Sequence, residues 1–366
     1  MSKIVILLGT RPEAIKLVPL ILKLRQMGNS AVIVHTGQHT TLADEVLNWF
    51  KIKPDFELKI MSKTQSPTEV LQKLFLELPK LYNVIKPDWV VIQGDTSSAL
   101  AGAQTAFLAK ISVAHVEAGL RSHDMQQPFP EEMNRRLISH LSSVHFTPTD
   151  RATENLLREN IPETAIHLTG NTVVDALHLI LNRKNTNTKT TRNKYSITEN
   201  EKLILLTTHR RENYGTPQKC IFRAVLKMAD MHPEYRFIFP VHPNPAILEN
   251  LDMIRNHNQI KLIKPLNYFD FVPLMAASDL ILTDSGGIQE EAPSLGKPVI
   301  ILRNKTERPE LIEAGAGVLA GTDEDKIINF TENIFSSNNR NRHEKLSLFG
   351  DGRASERIAS VLLADG

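Results

Sequence analysis

Acidic residues follow two apolar stretches of the chain, and another acidic pair opens a helical pattern. The sequence motifs and their acids are QGDTSS with Asp95, HVEAGLRS with Glu117, and PFPEEMNRR with Glu131 and Glu132. Carboxylates that converge on one partly dry site repel each other, and burying them unpaired costs several kcal/mol. Such a cluster persists when it transfers protons, binds a metal or pairs with cations. The pattern therefore predicts an acid–base or ion-pairing site in the first half of the chain.

Each of these carboxylates also has a purely structural interpretation. Asp95 could cap the helix that follows it, and Glu117 could form a loop ion pair with Arg121. Three cations are available to neutralise the cluster, namely Lys16, Arg121 and Arg135. With a single cysteine the chain cannot form a C-x-x-C site, and a metal would prefer histidines or several carboxylates at ligand spacing. A metal site is therefore the less favoured interpretation, and none is predicted.

The segment PFPEEMNRR predicts a helix with two candidate ion pairs. Its second proline, Pro130, suits the first helical turn, and both acids suit the positive end of the helix. Glu131 lies four residues before Arg135, and Glu132 lies four residues before Arg136, which is the spacing of helical ion pairs. Adjacent helical positions point about 100° apart, so the two pairs cannot face one site equally. The pattern alone does not choose between them.

Arg11 marks another junction between an apolar stretch and a helical pattern, in GTRPEAIKLVPL (9–20). Pro12 and Glu13 suit the start of a helix, but a guanidinium at that end is unfavourable unless an anion lies beside it. Lys16 follows about one turn later and faces the same place. No G-x-G-x-x-G follows this stretch, and no G-x-x-x-x-G-K-[ST] occurs in the chain. Nicotinamide-dependent and P-loop functions are therefore disfavoured.

A candidate anion-binding turn lies in LTDSGGIQEEAPSLGKPVI (282–300). Ser285 can cap a helix, and Gly286 and Gly287 allow backbone N–H groups to approach a phosphate closely. An ordinary capped helix explains the same residues equally well. Glu291 lies about one and a half turns into the helix, where it could accept hydrogen bonds from vicinal hydroxyls such as those of ribose. Glu290 points about 100° away and is expected to be solvated.

Two histidines and an aromatic residue in the second half are weaker candidates. His209 in TTHRRENYG and His242 in PVHPNP each follow an apolar stretch, although a lone histidine is more often structural. Phe271 in NYFDFVPLM could stack on a base or belong to the core. Cys220 lies in a helical pattern without a paired histidine, and no G-x-S-x-G occurs, so a nucleophilic triad is not indicated.

Apolar runs alternate with helical patterns along both halves of the chain. The runs are continuous, as in parallel strands that are covered on both faces. The alternation predicts an α/β fold with two Rossmann-type, doubly wound domains, joined by a polar linker or surface loop at 182–202. Ligands bind beyond the carboxyl ends of such strands. The candidate residues lie at those ends, and we expect them to surround one central cleft.

Composition narrows the function classes. A net charge of +2 does not indicate a nucleic-acid partner or an anionic membrane surface. No apolar run reaches the length of about 18 residues that a membrane span requires. The single cysteine suits a reducing compartment. We therefore expect a soluble cytoplasmic protein that binds neither nucleic acid nor membranes.

An ordered set of motifs from residue 9 to about 322 is similar to a known family. The motifs are GTRPEAIKLVPL, TGQH, QGDT, HVEAGLRS, PFPEEMNRR, LTGNTVVDA, THRREN, PVHPN and DSGGIQEEAPSLGKPV with RNKTERPE. Together they resemble the non-hydrolysing UDP-N-acetylglucosamine 2-epimerases. The resemblance implies a GT-B-like fold with an N-terminal domain at 1–180 and a UDP-binding domain at 181–351. It also implies that a C-terminal helix at about 352–366 packs back on the first domain.

The resemblance implies reversible epimerisation of UDP-GlcNAc to UDP-ManNAc, through elimination of UDP to 2-acetamidoglucal and re-addition. No cofactor is needed, and the product supplies surface polysaccharide. The implied catalytic residues are Asp95, Glu117, Glu131 and His209, of which His209 could instead contact the diphosphate. Lys16 and Arg135 are implied to support the carboxylates, and Glu131 with Arg135 is implied to be the site pair. The implied substrate-binding residues are Arg11 and His242 with Ser285, Gly286 and Gly287 for phosphates, Glu291 for ribose and Phe271 for uracil.

Some features depart from the family pattern. Many members bind a second UDP-GlcNAc as an activator near TGQH, and here Gln38 and His39 are present, but TTLADEV and MSKTQSPTEV lack the expected arginine. SHDMQQPFPEE replaces the more usual TGDLYSPFPEE beside the sugar pocket. A related substrate, such as a UDP-2,3-diacetamido sugar acid, is therefore an alternative. A GT-B glycosyltransferase and a non-catalytic nucleotide-sugar sensor are two others. A homodimer is expected from the family alone.

Overall fold

A computed structural model describes residues 2–38, 40–61, 66–183, 187–336 and 345–364. The chain forms two compact units. Unit 1 contains Met1–Ala176 and Phe349–Gly366, and unit 2 contains Leu177–Leu348. No helix in the described ranges combines the length and the apolar character that crossing a bilayer requires.

Unit 1 is built on a parallel sheet. The strands in its described part are β1 (Ile4–Leu8), β2 (Val32–His35), β3 (Phe56–Glu57), β4 (Trp89–Gln93), β5 (Ser112–Val116), β6 (Val144–Thr147) and β7 (Ile166–Leu168). Their order is β3-β2-β1-β4-β5-β6-β7, and every neighbouring pair is parallel. The strand order reverses between β1 and β4, so the topological switch point lies there. All five residues of β1 and of β4 are buried, as expected for strands that are covered on both faces.

Helices separate these strands along the chain. They are α1 (Arg11–Gln26), α2 (Thr40–Trp49), α3 (Pro67–Ile85), α4 (Ser97–Leu108), α5 (Glu131–Leu141), α6 (Asp150–Arg158) and α7 (Thr172–Leu181). Thr10 caps α1, and Ser66 caps α3 in the same way, each with a glutamate three residues later that completes a capping box. These caps determine where the helices begin after their strands.

Unit 2 is also built on a parallel sheet with helices between the strands. Its described elements are α8 (Thr188–Lys194), β8 (Lys202–Thr207), α9 (Thr216–Met231), β9 (Tyr235–Pro240), α10 (Pro245–Leu248), β10 (Ile260–Ile263), α11 (Tyr268–Ala277), β11 (Leu280–Thr283), α12 (Gly286–Glu291), β12 (Val299–Ile301), α13 (Pro309–Glu313), β13 (Gly317–Leu319) and α14 (Glu324–Ser336). The parallel strands follow the order β10-β9-β8-β11-β12-β13, with the switch point between β8 and β11. The predicted α/β class with two doubly wound sheets is confirmed, and β3 and β13 are short edge strands that the sequence did not predict.

The predicted linker at 182–202 is not a solvated connector over its described part. Its polar sequence forms α8, whose Arg192 donates to the carbonyl oxygens of Ala277 at 3.2 Å and Thr198 at 2.9 Å. The same guanidinium lies 3.1 Å from the carboxylate of Asp279. One arginine therefore attaches a segment with little apolar content to unit 2. The predicted linker or surface loop is instead a helix followed by buried Tyr195 and Ile197, so this polar segment packs on unit 2 through hydrogen bonds and a few apolar side chains.

The C-terminal segment of the chain returns to unit 1 as α15 (Ala354–Ala364). The buried carboxylate of Asp175 accepts hydrogen bonds from the backbone N–H groups of Ala354, at 3.2 Å, and Ser355, at 2.8 Å. A carboxylate is stabilising at a helix N-terminus, because the first N–H groups lack partners within the helix. Asp175 therefore attaches a helix that begins nearly 180 residues later in the chain.

Candidate active site

Glu117 follows β5 and lies in a dense set of hydrogen-bond donors. Lys16 Nζ lies 2.5 Å from Oε1 and 2.6 Å from Oε2 of the carboxylate. Asn171 Nδ2 donates to Oε1 at 2.9 Å, and the amide of Gln93 donates to Oε2. The backbone of Glu117 has a φ of 64°, in the left-handed region that costs a non-glycine residue about 1–2 kcal/mol. Strain of this kind concentrates at functional sites.

Arg121 does not pair with Glu117. Its guanidinium bonds to both carboxylate oxygens of Glu159, at 2.7 and 2.6 Å, and to Ser139 at 2.8 Å. The sequence-based alternative of a Glu117–Arg121 loop pair was therefore wrong. Lys16, which α1 carries, supplies the counter-charge instead.

We expect Asn171 to hold Glu117 in position. Asn171→Ala should therefore lower by about tenfold the kcat of a reaction in which Glu117 takes part, because a hydrogen bond to a charged group contributes about 1.5–3 kcal/mol. The matched control is Asn29→Ala, since Asn29 is also buried in unit 1 and donates to the carbonyl oxygen of Ser2 at 2.8 Å. Steady-state kinetics of both variants check this prediction. Equal losses of kcat in the two variants would show that Asn171 contributes only to stability.

Asp95 lies in the turn after β4 and is paired with α5. Arg135 donates to its Oδ2 through Nε at 2.8 Å, and Nη2 lies 2.7 Å from the same oxygen. Asn134 donates to its backbone oxygen at 2.7 Å. The residue that caps α4 is Thr96, whose hydroxyl accepts from the N–H of Ala99, so the interpretation of Asp95 as a helix cap was wrong. Asp95 is thus free of a capping role and held by a cation.

The two glutamates that begin α5 have opposite environments. Glu132 is fully buried, and its carboxylate accepts from the backbone N–H of Ser122 at 2.9 Å. It also lies 3.2 Å from Arg135 and 3.2 Å from Arg136. Among the described residues, the buried Oε2 of Glu131 has no hydrogen-bond partner.

The expected Glu131–Arg135 pair was therefore wrong, whereas Glu132–Arg136 is confirmed. Arg135 turns to Asp95, 40 residues earlier, and to Glu132, three residues earlier. Helix spacing predicts which residues could pair but not which tertiary partner competes for the same guanidinium. As a result, Glu131 presents a carboxylate oxygen that the described part of the chain does not neutralise.

The turns after β1 and β4 are joined by a buried carboxylate. Glu13 Oε2 accepts from the N–H groups of Gly9 at 2.9 Å and Thr10 at 2.7 Å, and Oε1 accepts from the Thr96 hydroxyl at 2.6 Å. Burial raises the pKa of Glu13, against the effect of these donors. Half-buried Arg11, the first residue of α1, makes no hydrogen bond or ion pair with any residue that the structure describes. The start of α1 therefore presents a cation that no described residue neutralises.

His209 and His242 follow the neighbouring strands β8 and β9. Their rings are stacked with centroids 6.0 Å apart. Nδ1 of His209 lies 3.3 Å from Oδ1 of Asp284, a fully buried residue in the turn after β11. Burial lowers the pKa of His209, although the charge of Asp284 acts in the opposite direction. Asp284 lies in a motif that the sequence analysis quoted, but its role was missed.

The Ser-Gly-Gly turn opens α12. Ser285 occupies the N-cap position, yet its hydroxyl makes no capping bond, so the interpretation of an ordinary capped helix does not hold for this side chain. Exposed Gly287 has no atom within 4 Å of the place where a Cβ would lie. A Cβ at Gly286 would lie 3.7 Å from Nη2 of Arg210, a cation that sequence reasoning did not single out. The turn thus combines the exposed backbone of Gly287 with a nearby positive charge, while the N–H of Ser285 already donates to the Thr283 hydroxyl at 3.0 Å.

Glu291 and Glu290 are both buried on α12. Glu291 accepts a hydrogen bond from the hydroxyl of Tyr268 at 3.1 Å. Glu290 lies 2.5 Å from Nε of Arg308, so the expectation that Glu290 is solvated was wrong. This arginine lies at the start of α13, so the spacing of residues along α12 could not indicate it as the partner. Phe271 is half-buried on α11.

Gln38 and His39, the two candidates for a second ligand site, lie after β2 in the sequence. Gln38 accepts a hydrogen bond from Ser98 at 2.7 Å, which joins the turn after β2 to α4. His39 lies outside the described residues. In the described part of the chain, no group of three or more histidine, cysteine, aspartate or glutamate residues could hold a metal ion.

Unit 1 therefore connects its three candidate carboxylates. A Cβ at Gly94, next to Asp95, would lie 3.9 Å from Oε2 of Glu117. Asp95 is tied in turn to Arg135 on α5, the helix that Glu131 opens. Lys16 pairs with Glu117 and Arg135 with Asp95, whereas Glu131 has no cationic partner among the described residues. Such a set can supply more than one proton-transfer group.

Known proteins match the chain over nearly its whole length. The family model described as UDP-N-acetylglucosamine 2-epimerase matches residues 23–363. The UDP-N-acetylglucosamine 2-epimerase of Campylobacter jejuni is 43% identical, with 99% of this chain and 97% of that protein covered. The enzyme of that name from Bacillus subtilis is 42% identical, with 99% and 95% covered.

A solved structure agrees with these relatives. The crystal structure of UDP-GlcNAc 2-epimerase from Neisseria meningitidis bound to UDP-GlcNAc matches with a TM-score of 0.89 and 41% identity, covering 99% of this chain and 100% of that one. The family resemblance seen in the motifs is thereby confirmed. The chain belongs to the UDP-N-acetylglucosamine 2-epimerase family.

Proposed function

We propose that this chain interconverts UDP-GlcNAc and UDP-ManNAc by inverting C2 of the sugar, and so supplies ManNAc-type sugars for surface polysaccharide. The observation that carries the proposal is the connected set of Asp95, Glu117 and Glu131 in unit 1. Two of these groups are held by Arg135 and Lys16, and one has a buried oxygen without a described donor. Proton transfer on both faces of one carbon requires such differentiated carboxylates.

The chemistry follows from the sugar. C2 has no neighbouring carbonyl, so its proton is not acidic enough for direct removal. A carboxylate takes the C2 proton while the C1–O bond breaks and its electron pair stays on the departing diphosphate. The resulting 2-acetamidoglucal accepts a proton at C2 on the opposite face from a second acid group, and UDP re-adds at C1. Asp95, Glu117 and Glu131 are the proposed acid–base groups, and no redox cofactor is required.

The remaining candidates are assigned to the nucleotide. Arg11, His242, the hydroxyl of Ser285 and the backbone N–H groups of Gly286 and Gly287 are proposed to bind the phosphates, since cations and hydrogen-bond donors suit anions. Arg210, close to Gly286, is proposed to join them. Glu291 is proposed to receive the ribose hydroxyls, and Phe271 to contact the uracil. Unit 2 is therefore the proposed UDP-binding domain.

Incubation with UDP-GlcNAc alone in D2O, followed by NMR, tests this proposal. We expect UDP-ManNAc to appear and deuterium to enter C2 of both sugars, because each turnover takes the new C2 proton from an exchangeable group. Asp95→Asn and Glu117→Gln serve as control variants, which should still bind UDP but should form little UDP-ManNAc and incorporate little deuterium.

Other outcomes would identify a different function. A product that forms only with an acceptor would point to a glycosyltransferase, and binding without turnover would point to a sensor. Turnover confined to a UDP-2,3-diacetamido sugar acid would change the substrate, in agreement with the altered SHDMQQPFPEE segment.

A cytoplasmic homodimer is also part of the proposal. It rests on the family resemblance and, for the compartment, on the single cysteine. Light scattering after size-exclusion chromatography tests the assembly, and a mass close to that of one 41.2 kDa chain would contradict it.

A further inference from the structure

Asp284 is a buried carboxylate at the switch point of unit 2. Its Oδ2 accepts four hydrogen bonds from the turn after β8: from the Thr208 hydroxyl at 2.9 Å, the N–H groups of His209 and Arg210 at 3.0 Å each, and the Asn213 amide at 3.0 Å. Four donors on one oxygen compensate much of the cost of burying this charge. They also fix the orientation of the carboxylate.

The second carboxylate oxygen of Asp284, Oδ1, has a different environment. Among the described residues, Oδ1 contacts His209 alone, through the backbone N–H at 3.2 Å and through ring Nδ1 at 3.3 Å. Holding the turn in place requires only the donors on Oδ2, so the contact with the ring needs a separate explanation. We propose that Asp284 is a positioning residue whose Oδ1 accepts the Nδ1 proton of His209, which leaves Nε2 as the ring atom that meets the substrate.

The charges around His209 support this arrangement. Asp284 contributes the negative charge next to the ring, while Arg210, the next residue of the same turn, and His242, which follows β9, place positive or titratable groups near it. Burial and these two groups lower the pKa of His209, and Asp284 raises it. A carboxylate partner at one ring nitrogen determines the tautomer and stabilises the imidazolium form.

The consequence for the reaction rests on the proposed function. When the C1–O bond breaks, its electron pair remains on the diphosphate. A His209 ring that is protonated on both nitrogens can donate its Nε2 proton to that oxygen, while the Nδ1 proton stays hydrogen-bonded to Asp284. The neutral ring takes the proton back when UDP re-adds, so the cycle is balanced.

Asp284→Asn distinguishes this proposal from a purely structural role. The four donors require an oxygen at the Oδ2 position, so the amide nitrogen must occupy the Oδ1 position and face Nδ1 of His209. An N–H group there converts Nδ1 into an acceptor and moves the ring proton to Nε2. The variant therefore keeps most bonds of the turn and reverses the tautomer.

The direct test is 15N NMR of the full-length protein labelled on histidine, with His209 assigned by its absence in His209→Asn. We expect the Nδ1–H tautomer in the wild type, the Nε2–H tautomer in Asp284→Asn, and a lower His209 pKa in that variant. A wild-type ring protonated on Nε2 overturns the proposal. The wild-type spectrum decides the question even if Asp284→Asn does not fold.

Kinetics give a second, independent test. Asp284→Asn should lower kcat by about 10- to 100-fold and change KM by less than about threefold, because the loss falls on proton transfer. The matched control is Asp175→Asn, which alters a buried carboxylate that accepts hydrogen bonds from backbone N–H groups of α15 and should leave kcat within about threefold. Equal losses in folded Asp284→Asn and Asp175→Asn overturn the proposal. If the wild type showed no epimerisation, the proposed function would fail, whereas the NMR result would still decide the Asp284–His209 contact.

Discussion

Glu131→Gln is expected to lower kcat by about 10²- to 10⁴-fold without lowering the free energy of unfolding. The carboxylate oxygen Oε2 is buried and lacks a donor among the described residues, so its charge is a cost in the folded state. A neutral amide removes that cost together with the proton-transfer group. A group that is retained at a cost to stability is expected to act in the reaction.

Glu132→Gln is the matched comparison, because it changes the adjacent residue in the same helix turn. Its carboxylate is fully buried and bonded to Ser122, Arg135 and Arg136. Burial alone would raise the pKa of Glu132, but these three donors outweigh it and lower the pKa. Loss of the charge should therefore lower the free energy of unfolding by about 1–3 kcal/mol and kcat by less than about tenfold.

Urea unfolding and steady-state kinetics of the two variants provide the measurement. We expect the two effects to separate: activity is lost in Glu131→Gln, and stability is lost in Glu132→Gln. Wild-type turnover in Glu131→Gln would remove Glu131 from the mechanism. A larger loss of kcat in Glu132→Gln than in Glu131→Gln would exchange the proposed roles of the two residues.

The strands and the residues at their ends could be predicted from the sequence. Continuous apolar runs identify buried parallel strands, and the residue after each run lies at the carboxyl end of the sheet. Asp95, Glu117 and His209 were located in this way. Lys16, which was predicted to support a carboxylate, contacts Glu117, and its place about one helical turn after Arg11 is consistent with a side chain near the end of β5.

The partners of the charged groups could not be predicted in the same way. Arg135 has two acids at helical spacing and contacts one of them, Glu132, yet it also binds Asp95, which lies 40 residues earlier. Glu290 has no basic residue at helical spacing within its own motif, yet Arg308 neutralises it from 18 residues away. The partner of a long side chain depends on which elements the fold places beside it, and local spacing contains no information on that placement.

The amide partners of Glu117 were missed for a related reason. Gln93 and Asn171 lie 24 and 54 residues from it in the sequence. Neither carries a charge that would suggest a role, although both stand at or just beyond the end of a strand region. A polar residue at the carboxyl end of a parallel strand is the signal that could have identified them.

The free energy of unfolding is expected to fall steeply as the pH drops from 6.5 towards 4.5. His115 and His145 are buried on the neighbouring strands β5 and β6. Burial, with a further contribution from His145, lowers the pKa of His115 to about 3. Burial, together with Arg121, lowers the pKa of His145 to about 4. Both rings therefore stay neutral in the folded protein over this range.

The direction in which pH changes the free energy of unfolding follows from the lowered pKa values of His115 and His145. In the unfolded chain both rings titrate near their ordinary pKa of about 6.5, so between pH 4.5 and 6.5 the unfolded state binds more protons than the folded state. Stability is then fully present above about pH 6.5 and is lost as the pH falls. Each ring contributes a slope of about 1.4 kcal/mol per pH unit, or about 5 kcal/mol for the pair over two units.

His145→Phe isolates one of these contributions, because phenylalanine fills a similar volume and does not titrate. Urea unfolding between pH 4.5 and 7.5 should show a slope that is shallower by about 1.4 kcal/mol per pH unit than in the wild type. His123→Gln, which removes an exposed histidine in the loop before α5, is the control and should leave the slope unchanged. An unchanged slope in His145→Phe would mean that His145 takes up its proton in the folded state, and the buried pair would then not be the cause of acid sensitivity.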